Sequence, residues 1–139
     1  MSAPRRPRIL LVDDEPMICE SMAMLLNQAG YDVTPAADGE EALSEIERAL
    51  PDVLVTDLRM PGMSGYALLA AMRRLYPTVP TIAMSGVYDF DDHFPEWLIA
   101  DAFYSKGSHP PGRLLDMVGK LLNGASLTAS ANEQSAPAD

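Results

Sequence analysis

From residue 8 to residue 123, short unbroken apolar runs alternate with longer stripes in which apolar residues recur every three or four positions. Runs of four or five suit strands buried on both faces, and the stripes suit the inward faces of helices. The run "ILLV", Ile9–Val12, predicts a first strand. A helix follows from near Glu15 and Pro16, with Ile18, Met22, Leu25, Leu26 and Ala29 on one face and Gly30 as its stop. A weaker strand over residues 31–36 leads into "ADGEEALSEIERAL". There Asp38 can cap a helix whose Ala42, Leu43, Ile46 and Leu50 share a face before Pro51 ends it. The third strand covers residues 53–56 and closes on Asp57. After a Pro- and Gly-rich turn, a helix runs from about Ser64 through Leu68, Leu69, Met72 and Leu75 to Tyr76, and Pro77 stops it. "TIAM", Thr81–Met84, is a fourth strand and residues 102–105 are a fifth. A last helix from Pro111 turns Leu114, Leu115, Val118, Leu121 and Leu122 inward. Five strands alternating with up to five helices predict an α/β fold, a doubly wound five-stranded parallel sheet flanked by helices.

Two stretches break the rhythm. After Gly124 the chain reads "ASLTASANEQSAPAD", small and polar with little to bury, and is expected to be a disordered tail over residues 124–139. The opening "MSAPRRPR" is expected to be a flexible arm over residues 1–7, leaving residues 8–123 as a single domain. Between Ser85 and Lys106, "GVYDFDDHFPEWLIADAFYS" is interrupted by Asp89, Asp91, Asp92 and Glu96, and Pro95 fits only the first turn of a helix. Any helix there is expected to be short or irregular, starting near Phe94 and covering little more than residues 95–100.

Composition narrows the function. The net charge of −10 and the lack of a basic cluster beyond Arg5, Arg6 and Arg8 argue against a nucleic-acid surface, which needs clustered cations against phosphate. No apolar run reaches the roughly 18 residues of a membrane span, and the N-terminus lacks the apolar core of a secretory signal, so the expected location is cytoplasmic. A single cysteine, Cys19, forms no intramolecular disulfide and reads as a small core residue. His93 and His109 lack metal-ligand spacing and read as exposed loop residues.

In an open parallel sheet the functional crevice lies beyond the carboxyl ends of the strands. Here those ends carry Asp13 and Asp14, Asp57, Ser85 and Lys106. If the first and third strands are neighbours, three carboxylates converge and repel. A divalent cation relieves that repulsion, and an all-oxygen site with water suits Mg2+. The competing reading is that Asp13 and Asp14 merely cap the following helix. The ammonium of Lys106 and the hydroxyl of Ser85 at other strand ends favour a phosphoryl site, in which Asp57, alone before a tight turn, is the natural acceptor.

"ILLVDDE", "AADGEEAL", "VLVTDLRMPGMSG" and "FYSKG" occur in the order, and with nearly the spacing, of the response-regulator receiver domains of two-component signalling, which the chain resembles over about residues 8–123. The resemblance implies the flavodoxin-like, chemotaxis-type form of the fold. It implies that Asp57 accepts a phosphoryl group from a sensor histidine kinase or histidine phosphotransfer protein. Asp14 and Asp57 would bind Mg2+ directly, Asp13 through water, and the Arg59 backbone carbonyl would complete the protein ligands. Lys106 would pair with the phosphoryl oxygens, and Ser85 would hydrogen-bond to one of them and draw its loop inward. Phe103 would turn inward with that movement, and the Arg59 side chain would tune how long the modification lasts. Output would pass to a downstream protein target docked on the face around the fourth helix, fifth strand and last helix.

Alternatives remain at single residues. Phe103 can be a plain core aromatic and Ser85 simple turn chemistry. Six of the nine aromatics lie between Tyr88 and Tyr104, where they either pack over the sheet edge in place of helical turns or form a partner-binding patch. Gly107 stands where the family usually has proline, so the bond after Lys106 is expected to be trans. Two rival functions also stand: a receiver fold used as an unphosphorylated binding module, and an aspartate-nucleophile phosphatase. The latter generally needs an acid two residues after the nucleophile, where Arg59 stands. The expected activity is thus a switch rather than an enzyme, beyond Mg2+-dependent self-phosphorylation from a phosphodonor and autodephosphorylation.

Overall fold

The computed structural model describes residues 5–87 and 95–124. Five strands, β1 (Arg8–Val12), β2 (Asp32–Ala36), β3 (Val53–Asp57), β4 (Thr81–Ser85) and β5 (Ala102–Ser105), form one parallel sheet in the order β2-β1-β3-β4-β5. Four helices, α1 (Pro16–Gln28), α2 (Gly39–Arg48), α3 (Gly65–Leu75) and α4 (Pro111–Leu122), cover its two faces. This is the flavodoxin-like order, in which the chain reverses direction across the sheet between β1 and β3. Pro35 lies in β2 without disrupting the ladder because β2 is an edge strand.

The period-two alternation of the strands sorts the core into two layers. Leu10, Val12, Leu54, Ala83 and Phe103 pack with Ala42 and Ile46 of α2 and Leu68, Leu69 and Met72 of α3. Ile9, Leu11, Val53, Val55, Ile82, Met84 and Tyr104 pack with Cys19 and Leu26 of α1 and Leu114, Met117, Val118 and Leu121 of α4 on the other face. Asp38 caps α2 through the Glu41 amide at 2.8 Å, and Ser64 caps α3 through the Ala67 amide at 3.2 Å.

Several expectations need correction. Residues 95–100 form turns rather than a helix. The Leu98 amide donates to the Pro95 carbonyl at 3.0 Å, and Leu98 and Ala100 plug the α3-side core. The start at Phe94 and the aromatics Tyr88 and Phe90 lie outside the described residues, as does His93. Leu50 is exposed because α2 already ends at Arg48, and Leu75 is exposed because Tyr76, just past the end of α3, packs on the core in its place. Ala29, expected on the inward face of α1, is also exposed, lying at the helix's C-cap. Where the sequence suggests a solvated arm, Arg5 pairs with Asp52 at 3.2 Å. Arg6 donates to the carbonyls of Asn27, Gly30 and Tyr31 at 2.9 to 3.0 Å, so its guanidinium satisfies the C-terminal end of α1. His109 is half-buried: its Nδ1 accepts the Ser105 amide at 2.9 Å, and its ring lies 5.8 Å from that of Tyr104.

Candidate functional site

β1 and β3 are hydrogen-bonded neighbours, so the acids that end them meet. Asp13, Asp14 and Asp57 each place a carboxylate oxygen within 4.8 Å of the others. Asp57 is 5% exposed and Asp13 2%, whereas Asp14 faces solvent. Asp13 is fixed from two sides: its amide donates to Ala36 O at 3.1 Å, and its Oδ1 accepts the Glu15 amide at 2.9 Å. The helix-cap reading is not realised: the bond from the Glu15 amide closes a turn ahead of α1, whose N-cap is Glu15 with no side-chain cap, and the second oxygen of Asp13 stays in the cleft.

Lys106 crosses from the end of β5 to this cluster. Its ammonium donates to Glu15 Oε1 at 2.9 Å, Asp13 Oδ2 at 3.1 Å and Asp57 Oδ2 at 3.4 Å, which uses all three N–H bonds. The strand end that carries it is tied to β4 by the Lys106 amide, which donates to Ser85 O at 2.9 Å. No cis peptide occurs among the described residues, so Lys106 and Gly107 are joined in trans. Burial disfavours the ammonium, but the hydrogen bond to Glu15 and the charges of Asp57 and Asp13 outweigh it and raise the lysine's pKa above its ordinary value. Burial also pushes the Asp57 carboxyl up. Lys106 pulls it back only in part, because Asp13 and Asp14 add repulsion.

The turn after β3 holds Asp57 in place. The Leu58 amide donates to Met84 O at 2.9 Å and the Gly65 amide to Leu58 O at 3.1 Å, while Gly62 adopts a positive φ of 75°. A side chain at residue 65 would collide with the Asp57 carbonyl, so glycine there lets α3 begin directly against the tip of β3. Arg59 is exposed in this turn.

The remaining predicted residues surround the cluster without joining it. Ser85 is buried at the tip of β4, and its hydroxyl oxygen accepts the Val87 amide at 3.0 Å. Phe103 is buried in the α3-side core. Trp97 is half exposed with its ring 6.0 Å from that of Tyr66, which joins the replacement turn to α3. Sequence reasoning missed Glu15 as a partner of Lys106, and its place in the "DDE" triplet was the available signal.

The donor set fits a hard divalent cation: three carboxylates in mutual reach, two of them buried, with one lysine against them. No described helix is long and apolar enough to cross a membrane.

The model of the response regulator receiver domain family matches residues 9–105. The probable transcriptional regulatory protein TcrX of Mycobacterium tuberculosis is 38% identical over 78 residues, covering 56% of this chain and 33% of that protein. The chain spans about a third of the length of the curated relatives it matches. Among solved structures, the chemotaxis response regulator CheY4 of Vibrio cholerae superposes with a TM-score of 0.75 at 28% identity, covering 84% of this chain and 99% of that one. The response regulator TrrA of Thermotoga maritima, in complex with Mg2+-BeF, gives 0.74 at 32% identity, covering 83% and 98%. On this match, and with the sheet order and the acid-lysine cleft that agree with it, the chain belongs to the response regulator receiver domains of two-component signalling.

Proposed function

We propose that this domain is a phosphorylation-driven switch in which Asp57 accepts a phosphoryl group from a sensor histidine kinase or a histidine phosphotransfer protein. The observation that carries the reading is the contact set of Asp57: buried at a strand tip, touched by Lys106 and within reach of Asp13 and Asp14. An oxygen of the Asp57 carboxylate attacks phosphorus, the bond from phosphorus to the donor nitrogen breaks, and its electron pair leaves with the imidazole. Lys106 neutralises charge on the transferred oxygens and the fixed cleft supplies orientation, the main demands of phosphoryl transfer. Asp13, Asp14 and Asp57, with the Arg59 carbonyl, would hold Mg2+, which when bound screens the carboxylates and the phosphoryl charge. The TrrA structure, a complex with Mg2+-BeF, supports this assignment by similarity.

The added charge then biases the fold through Ser85, whose carbonyl already grips the Lys106 amide, and through Phe103 two residues before Ser105. The signal leaves by docking of a downstream protein on the face formed by the turn at residues 95–100, β5 and α4. The acidic charge gives no support to a nucleic-acid partner, and the site works in the cytoplasm, where such kinases deliver phosphate. Residues 8–123 form the switch unit, with residues 1–7 and 124–139 flanking it. Incubation with Mg2+ and acetyl phosphate, followed by intact mass, tests the reading. One added phosphoryl group in the wild type and none in Asp57→Asn is expected. Turnover without an adduct would point to a phosphatase, and no reaction in either protein to a binding module.

A further inference from the structure

Lys106 is held most closely by Glu15, at 2.9 Å, and most loosely by Asp57, at 3.4 Å. Charge-assisted bonds between an ammonium and a carboxylate ordinarily lie near 2.7 to 2.9 Å, so the nitrogen sits toward the Glu15 side of the cleft. Glu15 is built into that place. Its amide is bound by Asp13 Oδ1, and Pro16 after it restricts its backbone to the extended region it occupies, with φ −98° and ψ 104°. It also stands at the N-cap of α1, where Asp, Asn or Ser would serve the helix better, and its side chain makes no capping hydrogen bond. The carboxylate is committed to Lys106 instead of to the helix.

We propose that Glu15 is a positioning residue for Lys106: its carboxylate holds the ammonium on the Asp13 side of the cleft, so that phosphoryl uptake has to draw the lysine off it. The inference rests on the phosphoryl-switch reading of Asp57 for its consequence but not for its geometry. Glu15 thereby restrains the transfer. The loop bearing Asp13 and Asp14 senses the lysine's position through the same residue, because Glu15 is bonded to Asp13 by its backbone and to Lys106 by its side chain. Aspartate at position 15 keeps the charge but is one methylene shorter. It is expected to cap α1 and release Lys106, which separates reach from charge.

The experiment compares wild type, Glu15→Asp, Glu15→Gln and, as a charge control elsewhere on α1, Glu20→Gln. Acylation of Lys106 by an amine-reactive ester is read by peptide mass spectrometry in chelator-treated protein, with Lys120, the other lysine of the chain, as the internal reference. Both Glu15 variants are expected to raise the Lys106/Lys120 labelling ratio about five-fold, the size of one charge-assisted hydrogen bond open to solvent on one side, and Glu20→Gln to leave it unchanged. Uptake from acetyl phosphate at saturating Mg2+ is expected to quicken by a similar factor. Wild-type labelling in both Glu15 variants overturns the proposal. So does a change in Glu15→Gln alone, which would reduce the effect to charge. Raised labelling with no phosphoryl adduct in any protein, wild type included, supports the positioning of Lys106 and removes the switch reading of Asp57.

Discussion

Replacing Asp57 by asparagine should make the metal-free protein more stable, and the cleft geometry gives the size. With an effective dielectric near 20, two unit charges at 4.8 Å, the outer limit for the facing oxygens of these acids, repel by about 3.5 kcal/mol, and an opposite pair 3.4 Å apart attracts by about 5 kcal/mol. Asp13 exerts the first force on Asp57 in full. Asp14 exerts a screened share of it because it faces solvent, and Lys106 opposes both with the second in full. Removing a carboxylate that is only 5% exposed from water adds a further cost. The balance is a net destabilisation of about 2 kcal/mol, which asparagine, of the same shape and uncharged, relieves. For a domain of this size the gain corresponds to roughly 6 to 10 °C in Tm. The assay is urea unfolding by far-UV circular dichroism, in chelator and in excess Mg2+. Wild type should gain about 2.7 kcal/mol when Mg2+ stands at a hundred times its Kd, and the asparagine variant clearly less, so the ranking narrows or inverts with metal. An Asp57→Asn protein no more stable than wild type in chelator would refute the view of the cluster as a strained, net-repulsive site.

Three other perturbations probe what surrounds the cluster. Gly65→Ala should cost about 2 to 3 kcal/mol in urea unfolding, since the new methyl meets the Asp57 carbonyl rather than a movable side chain, and it should weaken Mg2+ binding measured by calorimetry. His109→Ala removes the acceptor for the Ser105 amide and a ring contact with Tyr104, and a loss of about 1 to 2 kcal/mol is expected, read as a lower urea midpoint. Burial acts to raise the Asp52 pKa, but hydrogen bonds from the Arg8 amide and the Arg5 guanidinium outweigh it and hold the carboxyl below its ordinary 3.8. A group depressed in the folded state adds stability above its unfolded pKa and loses it as pH falls through the folded value. Asp52→Ala should therefore be about 1 kcal/mol less stable than wild type at pH 7, with the gap closing below about pH 4 in Tm measured across pH.

What could be read from the chain beforehand follows the range of the forces involved. Strands such as Ile9–Val12 and Val53–Val55 declare themselves because a strand buried on both faces needs an unbroken apolar run. Asp38 is legible as a cap because a cap is satisfied within three residues of itself. Asp13, Asp14, Asp57 and Lys106 are legible because the sheet order brings strand tips together whatever the loops do. Glu15, Arg6 and His109 were not. Arg6 finds carbonyls 21 to 25 residues away and Glu15 finds a lysine 91 residues away, and no local spacing marks either meeting. Leu50 and Leu75 failed for a different reason: helical spacing assigns a face only while the helix lasts, and both lie where α2 or α3 is ending.

The sheet order also explains why the lysine, rather than another acid, comes from β5. β1 and β3 are adjacent, so their acids meet directly, while β5 lies beyond β4, a further two strand spacings from β3, or roughly 10 Å. Only a long, flexible side chain spans that gap, and lysine ends it with a compact charge that three acceptors can share. The Ser85 carbonyl receives the lysine's own amide, so a displacement of Lys106 acts on the β4 tip through the backbone as well as through any ligand in the cleft. A phosphoryl group on Asp57 would therefore pull on one residue that is tied to Asp13 and Glu15 on one side and to Ser85 on the other. That coupling needs no long helix after β4, which is consistent with turns at residues 95–100 in a domain that keeps the rest of the cleft.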